Sequence, residues 1–439
     1  MSEPSVRAEV GEAQVHASQR SRGRLLLVLV LVAALVVGAG AWWTGRSDSD
    51  VPSVGPDDTT SNSDSAGLRD ARAIEALARQ ETALHDDSRA SYLAGWDSST
   101  PRSQRRAHTT YTNLRALDIG SLRPRYVAAV SGLGEAAHQR LGGQAWIADV
   151  QVEYDVLGFG RPARTTVRYT FALRDDRAHV VDVRAAPGER RPIWTLGPLV
   201  VRRTPRTLVA AQDEALAARA SGALTESVSD VQAVLPRWRG SLVAFVPGGV
   251  RAFEAVIAAT PGSYNGIAAV TTTVDGSTDA AAPVAIVLNG PVFARLGPVG
   301  TQVVSTHEAT HAATGAATVS MPLWIAEGFA DYVGVGAVDV PLRISAGEVL
   351  RSVRRTGLPR QLPADSAFDA AGTDLNVTYQ QAWLATRLIA RQYGESALIA
   401  FYRDVKADPA DVDRAFARLG TSRADFTRDW RDELDRLAS

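Results

Sequence analysis

The sequence predicts an α+β protein of several domains set behind a single apolar helix. Three observations predict it. One uncharged run, residues 25–43, is long enough to cross a bilayer. A block of period-two alternation between residues 146 and 183 follows a block of helical periodicity. A third region, from about residue 203, is mainly helical and carries two histidines four residues apart. A chain of 439 residues has room for two or three domains.

The apolar run reads LLLVLVLVAALVVGAGAWW. As a helix it spans roughly 29 Å, which matches a hydrocarbon core of about 30 Å. Trp42 and Trp43 stand where an interfacial anchor is expected. Arg20, Arg22 and Arg24 precede the run, and Asp48, Asp50, Asp57 and Asp58 follow it. The positive-inside rule then makes 1–24 a cytoplasmic tail, anchors the chain in the cell membrane by a single pass, and places the rest outside the cytoplasm. Ala39-Gly40-Ala41 also fits a signal-peptide cleavage site, which would release a secreted protein. Residues 44–66 are mostly Ser, Asp, Thr, Pro and Gly and read as a disordered linker.

Residues 67–202 read as an α+β domain. Leu68, Ile74 and Leu77, then Tyr92, Leu93 and Trp96, form an apolar helical stripe. Trp146, Ala148, Val150, Val152 and Tyr154 then alternate with mostly polar neighbours, as do Val167, Tyr169, Phe171 and Leu173. Both are half-buried strands. Asp175-Asp176 turns the chain into a third strand over 179–183, and PIWTLGPLVV (192–201) reads as a fourth. Helices followed by an antiparallel meander resemble the NTF2-like fold in element order. Gly132-Leu133-Gly134-Glu135-Ala136-Ala137 mimics a dinucleotide-binding loop, but the strands after it read as antiparallel, so no βαβ unit supports it.

In residues 203–439 a helix is expected over 207–235, a strand over 241–246, a helix over 249–258, and short strands over 267–271 and 283–289. The pattern is helical from there to the end, with Gly315, Gly394 and Gly420 as stops. Val284 to Leu288 reads equally as an edge strand on which a peptide could pair and as a plain core strand. Phe401, Phe416, Phe426 and Trp430 are expected to wall a cleft.

The net charge of −1 excludes the basic footprint of a nucleic-acid-binding protein. Cysteine is absent, so a metal would have to sit on His, Asp or Glu. VVSTHEATHAATG (303–315) supplies such residues between a candidate cap, Thr301, and a candidate stop, Gly315. In a helix His307 and His311 share one face and can reach one ion, while Glu308 lies about 100° round from His307. Two neutral imidazoles with an adjacent carboxylate are what metal-assisted hydrolysis needs. A hydrolytic zinc takes a third protein ligand. MPLWIAEGFADYV (321–333), capped by Ser320, offers Glu327 and Asp331 on one helical face. One carboxylate can ligate while the other accepts the N–H of a ligating histidine.

H-E-x-x-H followed by E-x-x-x-D on a second helix resembles the gluzincin clan of zinc metallopeptidases, and W-I-A-E-G-F-A-D-Y is most similar to its smaller peptidase MA-like members. The resemblance implies a thermolysin-like, mainly helical peptidase domain with a small sheet over 203–439. It implies one Zn2+ ion on His307, His311 and Glu327, Glu308 as general base to a zinc-bound water, and Asp331 as the residue that orients His307. The substrate would be a peptide or protein. The interval between His311 and Glu327 is shorter than in M1 aminopeptidases, and no G-A-M-E-N-like segment precedes the helix. Metzincin spacing fails, since Thr314 and Ala317 stand where its glycine and third histidine belong. No histidine follows His311, so a tyrosine is expected to stabilise the oxyanion as in M1 relatives; Tyr379 is preferred over Tyr332, Tyr393 and Tyr402. The alternative is a cell-surface binding or sensing protein on an inactive peptidase scaffold.

Overall fold

The computed structural model describes residues 59–439 apart from 120, 143, 157–158 and 369–373. Three helices come first, α1 (Thr59–His85), α2 (Arg89–Ala94) and α3 (Pro101–Ala116). Thr100 starts α3 by accepting from the Ser103 amide, with Pro101 at its first position. Then come β1 (Leu122–Val130), α4 (Glu135–Leu141), β2 (Ala145–Tyr154), β3 (Ala163–Arg174) and β4 (Arg177–Ala185). The four strands form an antiparallel meander in the order β1-β2-β3-β4. The turn between β3 and β4 holds Asp175 and Asp176 at φ 49° and 60°, the left-handed pair that a two-residue hairpin requires. Trp146 and Phe171 stack at 5.4 Å on the buried face of this sheet.

The second sheet is mixed. β5 (Val200–Arg203), β6 (Thr207–Ala211), β7 (Leu242–Val246), β8 (Ala269–Thr273) and β9 (Val284–Leu288) lie in the order β5-β6-β7-β9-β8. β6, β7 and β9 run parallel, while β5 and β8 are antiparallel to their neighbours. The crossovers use α5 (Glu214–Val234), started by the Asp213 carboxylate on the Leu216 amide, and α6 (Val250–Ile257). Both faces of this sheet are buried, which is why its parallel strands are unbroken apolar runs. Leu208, Ala210, Val243, Phe245, Val270, Ala285 and Val287 point into the core that also holds the first sheet. Val209, Ala211, Leu242, Ala244, Val246, Ile286 and Leu288 point into the core of the C-terminal helices.

Those helices are α7 (Gly290–Phe293), α8 (Pro298–Thr314), α9 (Leu323–Gly336), α10 (Leu342–Ser345), α11 (Gly347–Thr356), α12 (Leu375–Tyr393), α13 (Glu395–Ala407), α14 (Val412–Arg418) and α15 (Arg423–Ala438). α8 packs on α5 and α9, and α9 packs on α12. Phe401, Phe416, Phe426 and Trp430 are buried in the core instead of walling a cleft; Phe401 and Phe416 pack against Trp324 of α9, and Phe426 packs on Phe416.

Several expectations are corrected. Among the described residues no helix is long and apolar enough to cross a membrane. The long helices are amphipathic: α1 carries Arg69, Asp70, Arg72 and Glu75, and α5 carries Arg219, Glu226 and Asp230. The run 25–43 lies outside the described residues, as does all of 1–58. The fold class is therefore α+β with two sheets and no spanning helix among the described residues, and the membrane placement is dropped. Residues 59–66, expected in the linker, form the first turns of α1.

The strand expected over 192–201 is a short 3-10 turn, Ile193–Thr195, followed by β5 of the other sheet. The first sheet instead gains β1, whose Arg123, Pro124 and Arg125 hide its alternation; Pro124 is tolerated because β1 is an edge. The helix expected over 207–235 begins only at Glu214, because TLVAA is the buried strand β6. An apolar run of that length does not reveal its period. β9 is flanked by β7 and β8, so the outer strand on that side is β8, not Val284–Leu288. α4 joins β1 to an antiparallel β2, in agreement with rejecting a dinucleotide loop at Gly132 to Ala137.

Two glycines of α9 set how closely it is gripped. A Cβ on Gly328 would lie 2.5 Å from the Ala382 carbonyl oxygen of α12, and one on Gly334 would lie 2.9 Å from the Val303 carbonyl oxygen of α8. Both obstacles are backbone, so α9 would have to shift. Gly328→Ala is expected to cost about 1–3 kcal/mol of stability, measured by denaturant unfolding; an unchanged midpoint would contradict this close approach.

Candidate metal centre

α8 begins at Pro298, one turn earlier than a Thr301 cap would place it. Thr301 is buried inside the first turn, where its hydroxyl accepts from Arg219 Nε (3.2 Å) and donates to the Gly297 carbonyl (3.0 Å). Gly315 ends the helix at φ 66°, donating back to the His311 carbonyl. α9 begins at Leu323, not at a Ser320 cap; its first amide donates to Asp365 Oδ1 at 2.8 Å.

The two helices bring all five expected polar residues of the centre together. His307, Glu308, His311, Glu327 and Asp331 are each 6% exposed or less. His307 Nε2 lies 3.1 Å from Glu327 Oε2 and 2.9 Å from His311 Nε2, and His311 Nε2 lies 3.3 Å from the same Glu327 oxygen. The three ligand atoms of His307, His311 and Glu327 lie within 4.8 Å of one another, so the group could hold a metal ion. The imidazole planes are inclined by 75°, which spreads the two nitrogens round a common point. On its other side His307 Nδ1 meets Asp331 Oδ1 at 2.8 Å. A carboxylate there holds a proton on Nδ1 and leaves Nε2 for a cation.

Glu308 is split between two surroundings. Its Oε2 accepts from the Thr271 hydroxyl of β8 at 2.5 Å, and the same hydroxyl lies 3.0 Å from the Glu308 carbonyl oxygen. Its Oε1 is buried and has no hydrogen-bond partner among the described residues. An orphaned carboxylate oxygen beside three converging ligand atoms fits a group that acts on something brought into the centre. Burial pushes the Glu308 carboxyl above its ordinary range, against the pull of His307 and His311. Burial would also raise Glu327, but His311 and His307 bring it below the ordinary value. Burial opposes charge on His307, and the neighbouring Asp331 and Glu327 outweigh it and push the imidazole up to about 10.

Tyr379 of α12 also reaches the centre. Its buried ring lies 6.3 Å from that of His307 and stands edge-on to Phe368 at 5.3 Å. Tyr332 donates to Glu395 and Tyr402 to Thr314, so both hydroxyls are engaged outside the set of ligand atoms. Sequence reasoning missed Thr271, which lies 37 residues from Glu308 and carries no motif. It also missed Gly328 and Gly334. Their signal was present, since glycine inside a helical pattern costs about 1 kcal/mol and calls for a packing reason. A further polar network holds α8 to α5: Thr306 Oγ1 donates to Asp230 Oδ2 (2.9 Å) and lies 3.0 Å from Ser227 Oγ.

No protein-family model matches this chain, and no curated protein matches it.

A cation bound between the three ligand atoms displaces the proton of His307 Nε2. Binding should therefore release a proton and tighten as pH rises toward about 10. Asp331→Asn is expected to weaken binding about 10- to 100-fold. Titration with Zn2+ in two buffers of different protonation enthalpy reads both effects; proton-free binding would contradict the pairing of His307 with two carboxylates.

Proposed function

We propose that the chain is a zinc-dependent metallopeptidase of gluzincin type. The observation that carries this reading is the convergence of His307, His311 and Glu327 beside the unpartnered Oε1 of Glu308. Two nitrogens and one carboxylate oxygen suit one Zn2+ ion and leave a position open. When bound, that ion would acidify a water and polarise a carbonyl.

The chain's own residues then divide the work. Glu308 Oε1 takes the proton from the attacking water as its oxygen bonds to the peptide carbon. The same carboxyl returns the proton to the leaving amine as the C–N bond breaks. A carboxyl raised by burial is better matched to this exchange near neutral pH than an ordinary one. Thr271 fixes Oε2 so that Oε1 faces the reacting atoms. Asp331 keeps the proton on His307 Nδ1. Tyr379, whose ring lies 6.3 Å from that of His307, is the candidate for stabilising the developing oxyanion. β8, the outer strand of its sheet, carries Thr271 and lies against α8.

The near-complete burial of all five polar residues favours a second reading, in which the centre holds a metal in a binding protein and turns nothing over. A quenched-peptide library separates the two. Wild type is expected to cleave, and Glu308→Gln to lose about 10²- to 10⁴-fold in rate while keeping one metal per chain. Metal in both proteins with cleavage in neither would establish the second reading.

Thr271→Val supplies a finer test. The hydroxyl lowers the Glu308 carboxyl, so its loss raises it further. The acidic limb of kcat/KM should move to higher pH, with metal content unchanged. An unmoved limb would remove Thr271 from the catalytic arrangement.

A further inference from the structure

Beyond the metal centre, the C-terminal end of α8 borders a cavity of about 530 Å3. The volume suits a small organic ligand. Its wall combines three cations, Arg237, Arg403 and Lys406, with apolar surface from Trp238, Phe329 and Ile399, and contains no Asp or Glu. Three positive groups round an apolar cavity, with no carboxylate in its wall, favour an anion with an apolar body.

Lys406 is the chain's sole lysine among 47 basic residues. It is half-buried, and its ammonium donates to the Thr314 carbonyl in the last turn of α8. Tyr402 donates to the Thr314 hydroxyl beside it at 3.1 Å. The contact of Lys406 with the Thr314 carbonyl uses one of the three ammonium protons and leaves donors for a ligand. Arg237 and Arg403 are exposed and can close over a carboxylate from the solvent side.

We propose that this cavity is a binding site for an amphipathic organic carboxylate, with the carboxylate on Lys406 and Arg403 and the apolar body against Trp238 and Ile399. None of the three metal ligands lines this cavity, and the proposal does not depend on the reading of that centre.

The test uses the full chain and 4-phenylbutyrate, with the neutral 4-phenylbutyramide as control. Calorimetry should show one carboxylate bound per chain and at least tenfold weaker binding of the amide. Arg403→Gln changes an exposed side chain and should weaken the carboxylate at least fivefold. Lys406→Met should abolish binding. Because Lys406 is the only lysine, its acetylation by acetic anhydride can be followed by peptide mapping, and saturating carboxylate should slow it severalfold. Absence of binding at millimolar carboxylate overturns the proposal. So does equal affinity for the amide. Binding that leaves Lys406 unprotected and ignores Arg403→Gln also overturns it, since the anion would then sit elsewhere, the metal centre included.

Discussion

The approach of α9 to α8 is the constraint on which the rest of the centre depends. Five ionisable side chains occupy it with almost no exposure, and unpaired burial of such groups would cost several kcal/mol each. Four of them are tolerable because they pair with one another, and they can pair only if the helix backbones come close. Gly334 permits this by leaving its Cβ position to the Val303 carbonyl and the His307 amide. With α9 seated there, Asp331 reaches His307 Nδ1 and Glu327 reaches both Nε2 atoms. Gly328 does the same on the opposite side, where Thr386 of α12 donates to the Gly328 carbonyl at 2.7 Å. The alanine- and glycine-rich texture of α9 is thus a packing requirement of the charged residues it carries.

The second sheet links this centre to the N-terminal half. Its strands alternate between two cores, one of which it shares with the first sheet. Residues 67–202 cover one face of the sheet whose other face supports α8. Thr271 shows what this arrangement does at atomic scale. It belongs to β8, is held in register opposite Ile286, and reaches the Glu308 carboxylate with its hydroxyl. The orientation of one carboxylate is therefore fixed by a strand whose opposite face, at Val270, packs with the first sheet.

What could be read from the sequence followed from how local each signal was. The histidines, Glu308, Glu327 and Asp331 were legible because helical spacing alone puts each set on one face. The hairpin at Asp175-Asp176 was legible because few residues tolerate that backbone. β6 was not legible, since a strand buried on both faces has the composition of a buried helix. β1 was hidden by Arg123, Pro124 and Arg125, which only an edge position excuses. The edge status of β8 depended on β9 inserting between β7 and β8, a choice of strand order that no local pattern encodes. Thr271 was invisible for the same reason, as its role exists only once β8 lies against α8.

The unequal treatment of the two Glu308 oxygens bears on whether the centre is merely a fastening. A carboxylate kept for stability would have both oxygens satisfied, because each unmet buried acceptor costs about 1–3 kcal/mol. Here Thr271 satisfies Oε2, and no group among the described residues satisfies Oε1. Replacing Glu308 by an apolar residue would remove that cost, and three ligand atoms would still hold a cation without it. Among the described residues Glu308 thus keeps one acceptor oxygen unmet beside a set of converging ligand atoms, which supports the proposed proton-transfer role over a purely structural one.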